Sequence, residues 1–334
     1  MPDTDQVQAT TIQRLQDAVA PAFALLAGMQ LDLFTPMADA ELTADELSVR
    51  LGVDANRLSR LLYALAATGL LAERDGRFRN GREAAEFLMT GRPRYMGGSH
   101  ELLASIWSAN LHTAESIRTG RPAAQHDWAH TDPEHAAAAL RGLAPLALAF
   151  GRALGDRLDL SKIGSFLDIG GGSGTLLLGL MERWPHLRGS LLELPDVIVH
   201  AEPILAANGA VGRITLEPGD IVEGPAATKH DMAVLRAVLQ VMGREAAALA
   251  VRHAAQSLNP GGELLISGGG ILNDDRLGPL NAVFMNINFL NVYRESEAYT
   301  EAEHRAWLAD AGFAEVTREQ LPDGKELIRG RLPA

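Results

Sequence analysis

The chain has 334 residues, more than a single hydrophobic core usually organises, so we expect two domains. Its net charge of -12 opposes binding to nucleic acid or to an anionic membrane, and its lack of cysteine excludes disulfides, thiolate metal sites and a cysteine nucleophile. Apolar residues make up 47% of the sequence and charged residues 22%, and no charged leader or long apolar run stands out, which predicts a cytoplasmic protein.

The first predicted element is a helix over residues 11–33. Apolar side chains recur there at helical spacing, at Ile12, Leu15, Val19 and Phe23. One small domain has little surface with which to cover such a stripe. The pattern therefore predicts packing against a second copy of the chain, with burial inside the same chain as the alternative.

A compact unit of two helices and a hairpin follows. Thr43 and Glu46 have the spacing of a capping box at the start of a short helix, and Asp54 has the position of an N-cap for a second helix. Residues 70–78, with Asp75 and Gly76 at their centre, are typical of a hairpin. This order predicts a winged helix.

A winged helix often binds DNA, and the charges of this one argue against that role. The second helix offers only Arg57 and Arg60, while Glu73 and Asp75 lie in the wing. We therefore expect no nucleic-acid partner, with a DNA-binding regulator as the alternative.

Residues 91–160 are rich in alanine and helical in pattern, so we expect a helical linker. Trp107 and His112 lie in it, and isolated Trp or His residues in helices are more often structural than functional. We nevertheless take Trp107 as a candidate for an acceptor pocket and His112 as a weak catalytic candidate.

The sequence FLDIGGGSGTLLL, residues 166–178, organises the second half of the chain. It is typical of a buried strand, a tight turn and a helix start. Gly170, Gly172 and Gly174 allow the backbone to turn sharply and to approach a ligand, and the free N–H groups of the helix start face the same space. The segment predicts a nucleotide-type binding loop.

Two acidic residues and one threonine indicate which class of ligand this loop binds. The third glycine of the dinucleotide fingerprint is replaced by Thr175, and the carboxylate of Asp168 would repel a pyrophosphate but attract a cation such as S-adenosylmethionine. Glu193 ends the next apolar run, at the spacing of a carboxylate that binds ribose hydroxyls. Both NAD and S-adenosylmethionine contain a ribose, so Glu193 does not distinguish them. Because Asp168 and Thr175 oppose NAD, an NAD-dependent dehydrogenase is the disfavoured alternative.

Strand and helix patterns alternate from the glycine loop to Ser267, with one strand expected over residues 232–239 and a turn at residues 259–262. This alternation predicts a doubly wound, mostly parallel sheet with ligands at the carboxyl ends of its strands. A capping box at Thr300 and Glu303 starts a last helix, and two strands around residues 322–324 form an antiparallel pair. The predicted class is α/β with an N-terminal helical winged-helix domain. We expect domains at residues 11–90 and 161–334, joined by the helical linker over 91–160.

The order winged helix, helical linker, FLDIGGGSG, LLELPDVI, PGDI, LNPGGELLI and AYTEAEHRAWLADAGF resembles the S-adenosylmethionine-dependent O-methyltransferases of the plant caffeate and the bacterial polyketide or acetylserotonin type. The resemblance covers residues 11–330. It implies a homodimer joined through the N-terminal domain and a Rossmann-like class I methyltransferase domain.

The resemblance also assigns cofactor residues. The family's glycine loop falls on residues 170–174, with Gly170 and Gly172 against the cofactor, and its ribose acid falls on Glu193. Its adenine-side pair falls on Asp220 and Ile221, and a basic cofactor residue falls on Arg236. Asp168, chosen above from its charge and its position at a strand end, completes the set of cofactor candidates, and no metal is implied.

The catalytic position departs from the family. The family's usual general base is a histidine, and Gln240 stands in its place. A carboxamide orients a group by hydrogen bonds but takes no proton at neutral pH. Either His112 or another residue acts as the base, or the acceptor ionises unaided, or the reaction is not O-methylation.

The resemblance places the acceptor pocket along residues 280–293. Met285, Asn288 and Asn291 recur there at near-helical spacing and would present an apolar wall with amides, unless the segment is a core helix. The predicted function is methyl transfer from S-adenosylmethionine to a hydroxyl of a small aromatic or polyketide-like molecule. C- or N-methylation, or a non-methylating use of the cofactor, is the alternative.

Overall fold

The computed structural model describes residues 9–92, 94–124, 133–210, 212–321 and 324–334. The chain forms two compact units, Met1–Ala104 and Ser105–Ala334. The finer division expected at residues 90 and 160 stays a prediction. No helix in the described ranges combines the length and the apolar character needed to cross a bilayer.

The first unit has the predicted winged-helix order. Its elements are α1 Thr10–Asp17, α2 Val19–Gln30, β1 Leu42–Thr43, α3 Ala44–Leu51, α4 Ala55–Ala67, β2 Leu71–Arg74, β3 Arg77–Asn80 and α5 Arg82–Phe87. The three strands form an antiparallel sheet in the order β1-β3-β2.

Local sequence signals account for the boundaries in this unit. The Thr43 hydroxyl accepts the N–H of Glu46 while the Glu46 carboxylate accepts the N–H of Thr43, so the capping box is confirmed. Asp54 caps α4 by accepting the N–H of Arg57. Asp75 and Gly76 have the positive φ angles that a tight hairpin turn requires.

The predicted helix over residues 11–33 is two helices. A break at Ala18 separates α1 from α2, and α2 ends at Gln30 because Asp32, at φ 47°, turns the chain so that Leu33 enters the core. Apolar side chains on α1 and the start of α2 remain exposed within the chain, including Ile12 (62%) and Leu15 (57%).

The second unit alternates strands and helices. It contains α6 His100–Asn110 from Ser105 onward, α7 Thr113–Thr119, α8 Pro133–Arg157, β4 Ser165–Ile169, α9 Thr175–Arg183, β5 Arg188–Glu193, α10 Pro195–Ala207, β6 Ile214–Pro218, β7 His230–Arg236, α11 Arg244–Gln256, β8 Leu258–Gly268, β9 Ile271–Leu272, α12 Leu280–Val292, β10 Tyr299–Thr300, α13 Glu301–Asp310, β11 Glu315–Gln320 and β12 Glu326–Arg331.

Seven of these strands form one sheet in the order β11-β12-β8-β7-β4-β5-β6. Strands β4 to β8 pair in parallel, and β12 pairs antiparallel with both β8 and β11. Separate hydrophobic clusters cover the two faces of the sheet. The predicted mostly parallel sheet with an antiparallel end is confirmed.

Two boundaries differ from the prediction for local reasons. The strand expected to end at Leu239 ends at Arg236, because Ala237 has a positive φ of 59°. The segment Asn259–Gly262, expected as a turn, lies inside β8, where a bulge opposite β7 accommodates it and Gly261 has a φ of 74°.

Helices α8 and α9 pack with their backbones in close approach. A Cβ atom at Gly151 would collide with the carbonyl oxygen of Leu176, and a Cβ atom at Gly179 would lie 2.7 Å from the backbone nitrogen of Arg152. The Thr175 hydroxyl donates to the carbonyl oxygen of Ala144 across the same contact, at 2.7 Å. This packing fixes α8 against the first turn after the glycine loop.

Candidate cofactor and acceptor site

A cavity of about 520 Å³ lies at the carboxyl ends of β4, β5, β6 and β7. Most of its lining surface is apolar, and Leu140, Leu143 and Ala147 of α8 form one wall. Among the sequence candidates, the structure brings together in its lining Asp168, Gly170, Gly172, Glu193, Asp220, Ile221, Arg236 and Gln240. Parallel sheets bind ligands at this edge.

The glycine loop adopts a shape that side chains would obstruct. Gly170, Gly172 and Gly174 all have positive φ angles. A Cβ atom at Gly171 would lie 2.6 Å from Asp168 Oδ1, so the loop backbone passes directly over that carboxylate. The N–H of Gly170 donates to the carbonyl oxygen of Leu192, which ties the loop to β5.

Asp168 is a buried carboxylate at the end of β4. Neither of its oxygens has a hydrogen-bond partner in the described ranges. Burial raises the pKa of Asp168 to about 7, while the positive charge of Arg236 opposes the rise and the negative charge of Glu193 adds to it. A buried, unpaired carboxylate of this kind gains stability from a cationic ligand.

Glu193 at the end of β5 links the loop to the next strand. Its Oε2 accepts the N–H of Gly172 at 2.9 Å and its Oε1 accepts the N–H of Leu194 at 2.8 Å. Burial raises the pKa of this carboxyl, these two backbone donors oppose the rise, and the negative charge of Asp220 adds to it. Each oxygen keeps a further lone pair for a hydroxyl donor.

Asp220 and Ile221 follow β6. Asp220 Oδ1 accepts the N–H of Val222 at 2.8 Å, so the residue forms a local turn and also lines the cavity. The Ile221 side chain is buried in the sheet core, and its carbonyl oxygen is 2.7 Å from His253 Nδ1. The turn therefore presents one carboxylate oxygen beside an apolar surface.

The residues at this end of the cavity fit S-adenosylmethionine. An unpaired buried carboxylate suits a cation, the glycine loop leaves room for a ligand against the backbone, and Glu193 suits a ribose. Arg236 lies with its guanidinium 5.1 Å from the Phe150 ring centre and suits a carboxylate. No three metal-ligating side chains converge among the described residues.

Gln240 lines the cavity from a short 3₁₀ helix, Leu239–Val241, after β7. Its side chain is half-buried and packs against Gly268, the last residue of β8, and against Gly270. The position predicted from the resemblance is thus in the cavity wall. Its chemical role stays a prediction.

The remaining sequence candidates are not in the described cavity lining. His112 is exposed at the start of α7, and Trp107 is half-buried on α6. Met285 contacts Asn288 through its sulfur atom and would lie 3.4 Å from a Cβ atom at Gly269.

Asn288 and Asn291 belong to a polar cluster between α12 and the α6–α7 segment. Asn110 donates to Asn288 at 2.6 Å, Ser116 donates to Asn291 Oδ1 at 2.8 Å, and Asn291 Nδ2 donates to Thr113 at 2.8 Å. Asn291 is fully buried. The amide groups of Asn288 and Asn291 are therefore used to hold these helices together.

Among the cavity residues that the sequence did not reveal, two are aromatic. Phe289 and Tyr293 of the α12 segment line the cavity, one helical turn apart. Met285 lies on the same stripe, four residues before Phe289. The spacing of residues 285, 289 and 293 in the sequence is the signal from which the two aromatic residues could have been predicted. This spacing shows that the three residues share one face of α12. Which face of α12 points to the cavity is decided by the packing of Asn288 and Asn291 on α6–α7.

Comparison with known proteins gives family matches over both parts of the chain. Residues 116–314 match the O-methyltransferase domain, and residues 14–90 match the O-methyltransferase dimerisation domain. The chain is 33% identical to a 3-hydroxy-5-methyl-1-naphthoate 3-O-methyltransferase of Streptomyces sahachiroi, over 92% of this chain and 90% of the relative.

Two further similar proteins are named for other acceptors. An 8-amino-8-demethylriboflavin N,N-dimethyltransferase of Streptomyces davaonensis is 31% identical over 93% of this chain and 92% of its own. The crystal structure of human N-acetylserotonin methyltransferase in complex with SAM has the same fold, with a TM-score of 0.83 at 20% identity, covering 99% of this chain and 100% of that one. The chain belongs to the family of S-adenosylmethionine-dependent O-methyltransferases with an N-terminal dimerisation domain.

Proposed function

We propose that the protein transfers a methyl group from S-adenosylmethionine to a hydroxyl oxygen of a small aromatic or polyketide-like secondary metabolite. The protein is an S-adenosylmethionine-dependent methyltransferase of the secondary-metabolite type, and its dimerisation domain supports a homodimer. The observation that carries the proposal is the continuity of one cavity from Asp168 and Glu193 to Gln240, Phe289 and Tyr293.

The cofactor end holds and orients the methyl donor. We assign Asp168, with Gly170 and Gly172, to the methionine part, and Glu193 to the ribose hydroxyls. Asp220 and Ile221 would receive the adenine ring, and Arg236 the carboxylate. When bound, S-adenosylmethionine supplies an electrophilic methyl group on a sulfonium that leaves as a neutral thioether.

Positioning supplies most of the catalysis in this proposal. Phe289 and Tyr293 give the acceptor end an aromatic wall, and the apolar lining excludes water. Holding reacting atoms about 3–3.5 Å apart can contribute several kcal/mol without proton transfer. That route suits a site in which Gln240 stands where the family has a base.

Two observations favour keeping the alternative function, which is N- or C-methylation or a non-methylating reaction. Gln240 is not a base, and the similar Streptomyces davaonensis protein is named an N,N-dimethyltransferase. A neutral amine is a stronger nucleophile than a neutral hydroxyl, so an amine acceptor needs less help from a base.

The test is a reaction of the purified dimer with methyl-labelled S-adenosylmethionine and matched hydroxy, amino and unsubstituted arenes. We expect methyl ethers only, identified by mass spectrometry and by the chemical shift of the new methyl group. N- or C-methyl products would favour the alternative instead. Binding of S-adenosylhomocysteine without any methylated product would refute methyl transfer to this acceptor class.

Substitutions at Gln240 test the role of that position. Gln240→Ala should lower the rate about tenfold, the value of one lost hydrogen bond, whereas loss of a general base typically costs about 10²–10⁴. Gln240→His should help little with an acidic acceptor and more with hydroxyls of higher pKa. A loss above roughly a thousandfold in Gln240→Ala, with cofactor affinity intact, would show a chemically essential group.

A further inference from the structure

Two glycines, Gly268 at the end of β8 and Gly270 just before β9, make room for Gln240. A Cβ atom at Gly268 would lie 2.6 Å from Gln240 Oε1, and one at Gly270 would lie 2.7 Å from both Oε1 and Cβ of Gln240. Neither glycine has a positive φ, so backbone freedom does not explain the absence of side chains. We call Gly268 and Gly270 the glycine seat.

The backbone before Gln240 is held in an uncommon conformation beside the cavity. Ala237 has a φ of 59°, which costs a residue with a Cβ atom on the order of 1 kcal/mol or more. Its N–H donates to the carbonyl oxygen of Ser267 at 2.7 Å, so this turn is fixed to the strand that carries the seat. The surrounding structure thus directs Gln240 onto Gly268 and Gly270.

The contact distinguishes the two ends of the carboxamide. Oε1 rests against the seat, where Cα–H groups offer weak donors. No hydrogen bond to the Gln240 side chain occurs within the described ranges, and the side chain lines the cavity. The Nε2 hydrogens are therefore the end of the carboxamide left for the acceptor.

We propose that the glycine seat holds Gln240 as an N–H donor to the oxygen that is methylated, and that this selects acceptors that bind as oxyanions, namely acidic phenols and enols. This inference rests on the proposed function and names its substrate class. A hydrogen bond to a charged oxygen is about twice as strong as one to a neutral oxygen, so the donor favours the ionised acceptor. Gln240 contacts the acceptor, whereas Gly268 and Gly270 are positioning residues.

The step balances without a protein base. The acceptor hydroxyl loses its proton to water on binding. A lone pair of the resulting oxyanion then forms the oxygen–carbon bond, and the electron pair of the carbon–sulfur bond goes to sulfur, which leaves as a thioether. The described cavity lining contains no histidine or lysine, and its carboxylates Asp168, Glu193 and Asp220 are the residues assigned above to the cofactor.

The test measures ionisation of a bound phenol. The probe is 4-nitro-1-naphthol, whose ionised form absorbs visible light, titrated with the full-length protein saturated with S-adenosylhomocysteine. We expect the apparent pKa of the bound hydroxyl to fall by ~1 unit relative to free probe, as one charge-assisted hydrogen bond predicts. In Gly268→Ala the shift should be lost, because the added methyl displaces Oε1.

Two further variants separate positioning from general damage. Gly269→Ala is the matched control, because its Cβ atom would meet only Met285 at an ordinary 3.4 Å, and it should keep the full shift. Gln240→Ala should abolish the shift, and adding Gly268→Ala to it should change nothing more, since the nearest remaining contact is Ala237 at 3.3 Å. Equal S-adenosylhomocysteine affinity would show that each variant is folded.

The outcomes also separate this inference from the proposed function. If the wild-type protein methylates phenols but leaves the pKa of the bound probe unshifted, or does not bind the probe, the donor role is wrong and O-methylation stands. The same holds if Gly268→Ala keeps the full shift. If the shift is present and no phenol is methylated, the proposed function fails and the oxyanion site remains.

Discussion

Asp168 stays protonated in the folded protein at pH values where it would ionise in the unfolded chain. Its pKa is raised from 3.8 to about 7, so the folded state binds the extra proton between those values. The free energy of unfolding of the ligand-free protein therefore loses a contribution as pH rises from about 4 to about 7. Above that window the buried charge remains as a fixed cost, which a cationic ligand offsets.

The substitution Asp168→Asn should remove this pH dependence. Without ligand, the difference in thermal midpoint between variant and wild type should move in favour of the variant from pH 5 to pH 8, because only the wild type must bury a charge. The same variant should bind S-adenosylmethionine more weakly. A midpoint difference that does not change with pH would contradict the assignment of the raised pKa.

Glu193→Ala should weaken S-adenosylhomocysteine binding by about 1–3 kcal/mol, because ribose hydroxyls lose an ionised acceptor and the N–H of Gly172 loses its partner. Titration calorimetry measures this directly. Asp196→Ala, three residues along and exposed, is the matched control and should bind normally. Unchanged affinity in Glu193→Ala would remove this residue from the site.

The cofactor-side candidates line the cavity and the acceptor-pocket candidates do not, for a physical reason. Asp168, Gly170 and Glu193 lie at strand ends and in a turn, where local sequence alone decides which way the chain faces. Asn288 and Asn291 lie on a helix whose orientation depends on bonds to residues almost 180 positions earlier. Periodicity identifies a helix and its stripes, but it does not reveal which neighbour each stripe meets.

At the level of elements, the contact between α8 and α9 should tolerate no side chain at Gly151. Gly151→Ala would place a methyl group against the backbone of Leu176, and the helices would have to separate at a cost of roughly 1–3 kcal/mol. Gly155→Ala on the same helix is the control, because its nearest neighbour would be 3.4 Å away.

Alanine at Gly155 should be neutral or stabilising by about 0.5–1 kcal/mol, the usual gain over glycine within a helix. Thermal or denaturant unfolding compares the two variants. Equal stability of Gly151→Ala and the wild type would show that the helices pack less closely than described.

Element types followed from the sequence, whereas some ends did not. Capping boxes at Thr43 and Thr300 fix helix starts through bonds to residues three positions away, so pattern suffices. The end of β7 depends on Ala237, a residue with no intrinsic preference for positive φ, held there by Ser267 of another strand. Tertiary contacts of this kind leave no local signal.

For the whole molecule, the exposed apolar side chains of α1 and α2 predict a homodimer through the dimerisation domain. Leu15→Glu should shift the protein toward monomer at micromolar concentration, because a charge would be buried at the contact. Light scattering measures the mass. Val49→Glu on α3 is the control, since Val49 is also exposed, and it should leave the dimer intact. A wild-type protein of single-chain mass would contradict the prediction.

The carboxylates of Asp168, Glu193 and Asp220 lie together at one end of the cavity of a protein with a net charge of -12. Above pH about 7, where Asp168 is ionised as well, their field extends into solvent and steers a positively charged cofactor toward the site during diffusional encounter. S-adenosylhomocysteine lacks the sulfonium, so the same field attracts it less. Ionic strength should therefore slow cofactor capture in stopped-flow measurements while leaving product capture nearly unchanged, as the screening length falls from about 30 Å at 0.01 M salt to about 8 Å at 0.15 M.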